Sequence, residues 1–399
     1  MRFVSSFQTK VLWDFDQHRL SVHDRLAKLN WDLLLLVGLI FLAGFFALYS
    51  AAQGNLEPWA IRHARNFFIG LSIFFFFALI DIRFWMHTAY LFYGLGLVLL
   101  LGVEIVGQIS SGSQRWIRIG GFNLQASELM KFFLIFTLAR YFHHKSYEQM
   151  GNILWLLPVF LMILVPAGIV LVQPDLGTAF MLLVTGFFLL FTAGLRYWKA
   201  FAFVLIGFLS IIAIFRFDIL SSYQMERIGT FLNPEASELN AGYQIMQSKI
   251  AIGSGGLVGK GFLNGTQSQL SFLPEKQTDF IFALISEEFG YLGALFILAL
   301  YGILIAYLII RARQIPHQFG RLFIFGAAFN IFLYVAINVG MVTGSVPVVG
   351  VPLPLISNGG SVIFSVLASL GLAQSILIDR DTPIGRFSVE PEKQNFYTT

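Results

Sequence analysis

The chain of 399 residues is 57% hydrophobic and only 12% charged, with a mean hydropathy of +0.74. A soluble domain carries about 25% charged residues, so half of the usual charge is missing, and lipid is the solvent that tolerates this. The absence of cysteine excludes disulfides and thiolate metal sites; the net charge of +4 decides little, because the side of the membrane on which charges lie matters more than their sum, and no feature points to nucleic acid.

In chain order, residues 1–30 form a polar N-terminal tail that does not read as a cleavable signal peptide. The apolar block beginning at Trp31 is long enough to span a bilayer, which takes about 20 residues. Spans are predicted near residues 31–52, 66–80, 87–106, 126–141, 153–172, 177–195 and 198–215. A long polar stretch, 216–279, separates them from three more near 280–310, 322–342 and 362–378, and a short tail, 379–399, ends the chain. The expected fold is therefore an all-α polytopic membrane protein, with a membrane domain over 31–378 of about ten helices. Ten spans place both termini on one side. Of the 26 Lys and Arg residues, 16 fall on that side, which makes the termini cytoplasmic and the 216–279 loop extracytoplasmic.

Ionisable groups within a membrane cost at least about 2.5 kcal/mol each, so each is a functional candidate. The string QASELMK opens the fourth span. Glu128 and Lys131 in it share a helix face, with Ser127 beside them. The loop before it, GSQRWIRIGG, carries Arg115, Trp116 and Arg118. Two readings stand: a self-neutralising Glu–Lys pair with an interfacial Trp anchor, or cations aimed at an anionic head group, for which arginine forks are suited. Asp175 in QPDLG is either a helix cap or part of a polar site. Asp279 stands where the long loop meets an apolar run, 280–285. It is either a helix N-cap or a partly desolvated carboxylate tuned for proton abstraction. Ser286 returns to the same face, and Glu287 and Glu288 are expected about 12 Å deeper on a continuous helix, beyond easy reach of loop cations. They are either a hydrogen-bonded core site or catalytic groups.

The loop string AGYQIMQSKIAIGSGG places Tyr243, Met246 and Ile250 on one side of a helix, with Gln244, Gln247 and Lys249 on the other. This predicts an amphipathic helix on the membrane surface. Glycines at 253, 255, 256, 259 and 261 surround Lys260; such backbone can cradle phosphate, a weak motif without a strand-to-helix context. The run VPVVGVPLPLISNGGS, which includes Ser357, is irregular backbone at membrane depth and is expected to floor an outward cavity.

Six strings in order, GSQRWI, QASELMK, QPDLGTA, GYQIMQSKIAIGSGGLVGKG, LPEKQTDFIFA with EEFGYLG, and GVPLPLISNGGS, resemble the SEDS family of bacterial membrane proteins (shape, elongation, division and sporulation) over nearly the whole chain. The strings GTQSQLSFLPEKQTDF and PVVGVPLPL look more like its elongation branch than its division branch. Two positions depart from the pattern: Ala126 where proline is usual, and Asn358 where tyrosine is usual.

The resemblance implies an inner-membrane peptidoglycan glycosyltransferase. Its substrate would be lipid II, a disaccharide-pentapeptide on undecaprenyl diphosphate, joined by β-1,4 bonds to a growing glycan strand. The family's essential carboxylate falls on Asp279. The partner would be a class B penicillin-binding protein, a transpeptidase. The chemistry then assigns Asp279 as base, and Lys131 with Arg115 and Arg118 or Lys260 to the diphosphate. Trp116, Ser127 and Glu128 line that site, and Mg²⁺ or another divalent ion would assist at the phosphates. Asp175, Glu287, Glu288, Gln247 and Ser357 are secondary candidates. The rival reading is a transporter that flips lipid II. Against it, the charged sites gather on the outer side, whereas alternating access wants a midplane site.

Overall fold

The computed structural model describes residues 20–110, 113–119, 122–143, 153–195, 198–199, 225, 229, 241–270, 272–273 and 275–382. A short helix α1 (Val22–Ala27) begins it, capped by Ser21, whose side chain and that of Asp24 bond each other's backbone N–H groups. Then come α2 (Trp31–Ala51), α3 (Ala60–Leu79) and α4 (Ile82–Val106). A small antiparallel sheet follows, β1 (Gln108–Ser110), β2 (Ser113–Ile119) and β3 (Phe122–Gln125), in the order β1-β2-β3. Next are α5 (Ala126–His143), α6 (Ile153–Val172) and α7 (Leu176–Thr192). The chain continues through α8 (Ala241–Gly255), the short α9 (Thr266–Gln269), α10 (Ile281–Arg313), α11 (Gln318–Val342) and α12 (Gly360–Ile378). Nine of these helices coincide with predicted spans; the span expected at 198–215 lies outside the described residues. Six are long and apolar enough to cross a membrane, and the protein is a multi-pass membrane protein.

The core is centred on α12, whose apolar window is wholly buried. It crosses α3 closely because two glycines permit it. A Cβ on Gly371 would stand 2.4 Å from the Phe74 carbonyl oxygen, and one on Gly70 would stand 2.6 Å from Leu367. Phenylalanines fill the space between α5 and its neighbours, with Phe132 edge-on to Phe77 and Phe323.

Four features depart from the sequence reading. The loop expected at 107–126 contains the three-stranded sheet, with Trp116 opposite Gln125 and Ile117 opposite Leu124. Its strands are short, and their polar content hid them. The N-terminal tail is not detached at its end: Arg25 is 3% exposed and donates to both carboxylate oxygens of Asp379 at 2.8 Å. Asp379, the first residue of the supposed C-terminal tail, also accepts from the Ile82 N–H and is buried.

Third, α10 is not continuous. Gly290 has φ 66° and ψ −162°, which breaks the helix after its first turns. The glycine-rich segment 256–261 inserts at the break. Lys260 N–H donates to Glu287 O at 3.0 Å and Gly261 N–H to Glu288 O at 2.9 Å. In return Tyr291 N–H donates to Gly256 O and Leu292 N–H to Leu257 O. The backbone groups freed by the break are thus satisfied by the loop, as a membrane interior demands. Gly259 must lack a side chain here, since a Cβ would lie 2.1 Å from Glu288 O. The glycines therefore meet a helix break, where the sequence suggested a phosphate cradle.

Fourth, α8 packs on α10 through a face of three small residues and one isoleucine. Gly242, Ile245, Ser248 and Ala251 are buried, whereas Met246 and Ile250 are exposed. The anticipated apolar side of this helix is the outward one. Ser248 Oγ donates to Val342 O at 2.7 Å and fixes α8 to the end of α11.

Candidate functional site

Three polar groupings lie around the segment 346–359 and the helices beneath it. The first is on α5. Lys131 Nζ donates to Glu128 Oε1 at 2.7 Å, one helical turn away. The pair is 1% and 3% exposed, so neither charge reaches bulk water. The Tyr334 hydroxyl of α11 donates to Glu128 Oε2, and its ring lies under the ammonium at 4.2 Å from the centroid. Ser365 of α12 donates to the Glu128 carbonyl at 3.0 Å. A buried ion pair needs such added bonds to offset desolvation, and two neighbouring helices, α11 and α12, supply them.

The second grouping is at the sheet. Arg115 on β2 has a guanidinium nitrogen 3.8 Å from Asp175 Oδ1, and a second nitrogen donates to Pro174 O. Asp175 caps α7 by accepting from Thr178 N–H at 3.1 Å and Thr178 Oγ1 at 3.0 Å. It also accepts from the Gln125 side chain at 3.1 Å. Both readings of Asp175 therefore meet: it is a cap and a member of a polar site.

The third grouping is at Asp279. The N-cap position of α10 is Phe280, which makes no side-chain cap bond, and Asp279 precedes it. Its carbonyl accepts from Asn338 Nδ2 at 2.8 Å, and the same amide donates to Val351 O at 2.7 Å. Ser357 Oγ donates to Thr278 O at 2.6 Å and accepts from Leu353 N–H. Asn358 N–H donates to Gln277 O at 2.9 Å. Asp279 is thereby fixed through its backbone, while its side chain stays half-exposed beside Gly350, where a Cβ would sit 3.4 Å from Oδ2.

Two connections join the groupings. Asn338 and Tyr334 are one turn apart on α11, so they share a face about 6 Å apart along the axis. One holds Asp279 and the other holds Glu128. The backbone of 349–350 is the second: Val349 O would meet a Cβ on Gly177, two residues after Asp175, at 2.9 Å, and Gly350 abuts Asp279. Ser361 clamps the sheet to α12 by accepting from Gln125 N–H at 2.9 Å and donating to Asn123 O. Irregular backbone at 346–359 thus abuts both carboxylate sites.

Comparison with known proteins decides the family. The FtsW/RodA/SpoVE model, described as a cell cycle protein, matches residues 24–381. The chain is 40% identical over 354 residues to the peptidoglycan glycosyltransferase MrdB of Escherichia coli K12, covering 88% of this chain and 94% of that protein. It is 32% identical to the stage V sporulation protein E of Bacillus subtilis over 86% of this chain and 94% of that one. It belongs to the FtsW/RodA/SpoVE family. Among solved structures, a chain described in "Structural coordination of polymerization and crosslinking by a peptidoglycan synthase complex" superposes with a TM-score of 0.77. That chain is 30% identical, with 89% of this protein and 99% of it covered. RodA of Thermus thermophilus superposes with a TM-score of 0.66 at 29% identity, over 88% of this chain and 97% of that one.

Within this FtsW/RodA/SpoVE chain, the candidates do not all converge. Lys131 with Glu128, and Arg115 with Asp175, form two separate pairs, linked along the chain by Gln125, which bonds Asp175 and directly precedes α5. Ser127, next to Glu128, is buried. Arg118 parts from Arg115: alternate residues of a strand face opposite ways, so Arg118 and Trp116 share the other face of β2, and Arg118 is exposed. Lys260 belongs elsewhere. Its ammonium donates to Glu287 Oε1 at 2.8 Å and to Thr266 at 2.7 Å. Loop cations thus do reach Glu287, because the break at Gly290 brings the loop down to it. Glu287 also accepts from Thr266 Oγ1 and from the Gln267 N–H at 2.9 Å. Glu288 is held by Ser50 of α2. Ser286 spends its hydroxyl on Phe282 O, and Gln247 is half-buried on α8. The residues missed by sequence reasoning are Asn338 and Tyr334. Two asparagines in one apolar span, Asn330 and Asn338, each one turn from Tyr334, were the available signal.

Among the described residues no three His, Asp or Glu side chains converge as a cation cage. Near the segment 346–359, Asp175 and Glu128 are each committed to caps or ion pairs. The Asp279 side chain is half-exposed.

Proposed function

We propose that this chain is a RodA-type peptidoglycan glycosyltransferase of the bacterial inner membrane that polymerises lipid II, with Asp279 as the general base. The observation that carries the assignment of the base is the geometry of Asp279, a carboxylate held by its backbone against the irregular segment 346–359 with its side chain half-exposed. Membership of the family and 40% identity to a peptidoglycan glycosyltransferase support the activity.

The reaction needs three things. An acceptor sugar hydroxyl must lose its proton as it attacks, and Asp279 takes that proton. The anomeric carbon inverts, because an α-linked donor gives a β product. The diphosphate leaves already ionised, so a single base suffices and the second carboxylate of a glycoside hydrolase is not required. Lys131 and Arg115 supply positive charge toward the departing diphosphate, and Glu128 with Tyr334 orients Lys131. A divalent ion such as Mg²⁺, arriving on the diphosphate, would find one carboxylate at Asp279, and phosphate-bound Mg²⁺ requires only one or two. It would neutralise leaving-group charge. Lys260 is better read as the counter-ion of Glu287 than as a phosphate ligand.

Residues 1–30 and 379–399 are read as cytoplasmic tails around one membrane domain; 16 of 26 basic residues on that side support the orientation. The partner is a class B penicillin-binding protein, and the likeness to a chain of a peptidoglycan synthase complex supports it. The test is polymerisation of purified lipid II by the chain co-purified with that transpeptidase. Glycan ladders are expected. Transbilayer movement of lipid II without ladders, with divalent ions supplied, would establish a transporter instead.

A further inference from the structure

A pocket of about 360 Å³ opens on the same side of the protein as Asp279, between the α2–α3 connection and the chain entering α10. Asn55, Glu57 and Trp59 form one wall, and Leu273 and Lys276 form the other. The two walls are fixed to each other: Gln53 donates to Gln269 O at 2.7 Å, and the Lys276 ammonium lies 6.0 Å from the Trp59 ring centroid. The pocket adjoins the proposed centre, since Lys276 precedes Asp279 by three residues and the intervening carbonyls of Gln277 and Thr278 are clamped by Asn358 and Ser357.

The lining selects the ligand class. The volume is at the lower end of small-molecule sites. Trp59 offers a half-buried aromatic face, on which the C–H face of a sugar can stack. Asn55 and Glu57 are exposed at the mouth and offer hydrogen-bonding groups for hydroxyls. A diphosphate fits poorly. Lys276 is 5% exposed, burial pushes its ammonium below its usual pKa, and the Glu57 carboxylate shares the site.

We infer that this pocket is a saccharide subsite, which holds a sugar unit of the glycan beside Asp279 by stacking on Trp59 and hydrogen bonding to Asn55, Glu57 and Lys276. The identity of the glycan rests on the polymerase reading; the pocket's preference for a neutral sugar does not.

The test uses the full chain in detergent and a neutral tetrasaccharide of β-1,4-linked N-acetylglucosamine, free of lipid, diphosphate and peptide. Binding is followed by saturation-transfer NMR and titration. Wild type and Asp279→Asn should bind alike. Trp59→Ala should weaken binding about tenfold, near the upper range of one aromatic contact, and Trp59→Phe should restore most of it. Glu57→Gln, at an exposed position, provides a second variant that should fold and should weaken binding. No binding by wild type, equal affinity in Trp59→Ala and Glu57→Gln, or displacement of the sugar by inorganic pyrophosphate would each overturn the subsite. Active polymerisation by Asp279→Asn would overturn the base and leave the binding result intact, so the two failures are distinguishable.

Discussion

Two glutamate–lysine pairs among the described residues are of similar composition and different construction. Glu128 and Lys131 are neighbours on one helix, and their remaining bonds come from α11 and α12. Glu287 and Lys260 are 27 residues apart and meet because a glycine loop docks into the break at Gly290. The first pair is nearly inaccessible at both ends, whereas the Lys260 side chain keeps 26% of its exposure. The first is coupled through Tyr334 and Asn338 to the backbone of Asp279; the second secures a fold of the chain. Residue type alone does not separate a site from a staple. What separates them is which backbone each pair is tied to.

Substitutions can break this comparison. Lys131→Met should have the largest effect, because it strands the Glu128 carboxylate in the core at a cost of about 3–5 kcal/mol, seen as a lower unfolding midpoint in detergent. Adding Glu128→Gln should recover most of the stability and none of the polymerisation. Recovery of both would move this pair to a purely structural role. Asn338→Leu removes the donor to two carbonyls and should cost about 1–3 kcal/mol. It should also lower polymerisation about 10²-fold by displacing Asp279, with kcat falling more than the apparent affinity for lipid II. Gly259→Ala forces a Cβ against Glu288 O at φ +81° and should destabilise by about 1–3 kcal/mol. Lys260→Met should cost least, about 1 kcal/mol, since Glu287 keeps its bonds from Thr266 and Gln267 and the cation is partly hydrated. A loss of polymerisation as deep as that of Lys131→Met would return Lys260 to the diphosphate.

Most of the membrane frame was legible in the sequence, because a spanning helix is a local property. The first span was expected at 31–52 and is Trp31–Ala51, and the eighth was expected at 280–310 and is Ile281–Arg313. Glu128 and Lys131 were paired from their spacing alone. The break at Gly290 was not legible, since its backbone partners lie some 30 residues away in the loop and no proline marks it. The link of Arg25 to Asp379 spans 354 residues and leaves no local trace. The apolar side of α8 was misassigned because small residues packed inward, where close helix approach favours them over bulk.

The central claim is that a carboxylate anchored through its backbone, with a half-exposed side chain, performs the proton transfer. The most direct measurement is lipid II polymerisation by wild type and Asp279→Asn, each folded and co-purified with its transpeptidase. A general base contributes about 10²–10⁴-fold, so the variant should give no visible glycan ladder while unfolding at the wild-type temperature within about 2 °C. Ladders of equal intensity from both proteins would contradict the account and move the base elsewhere.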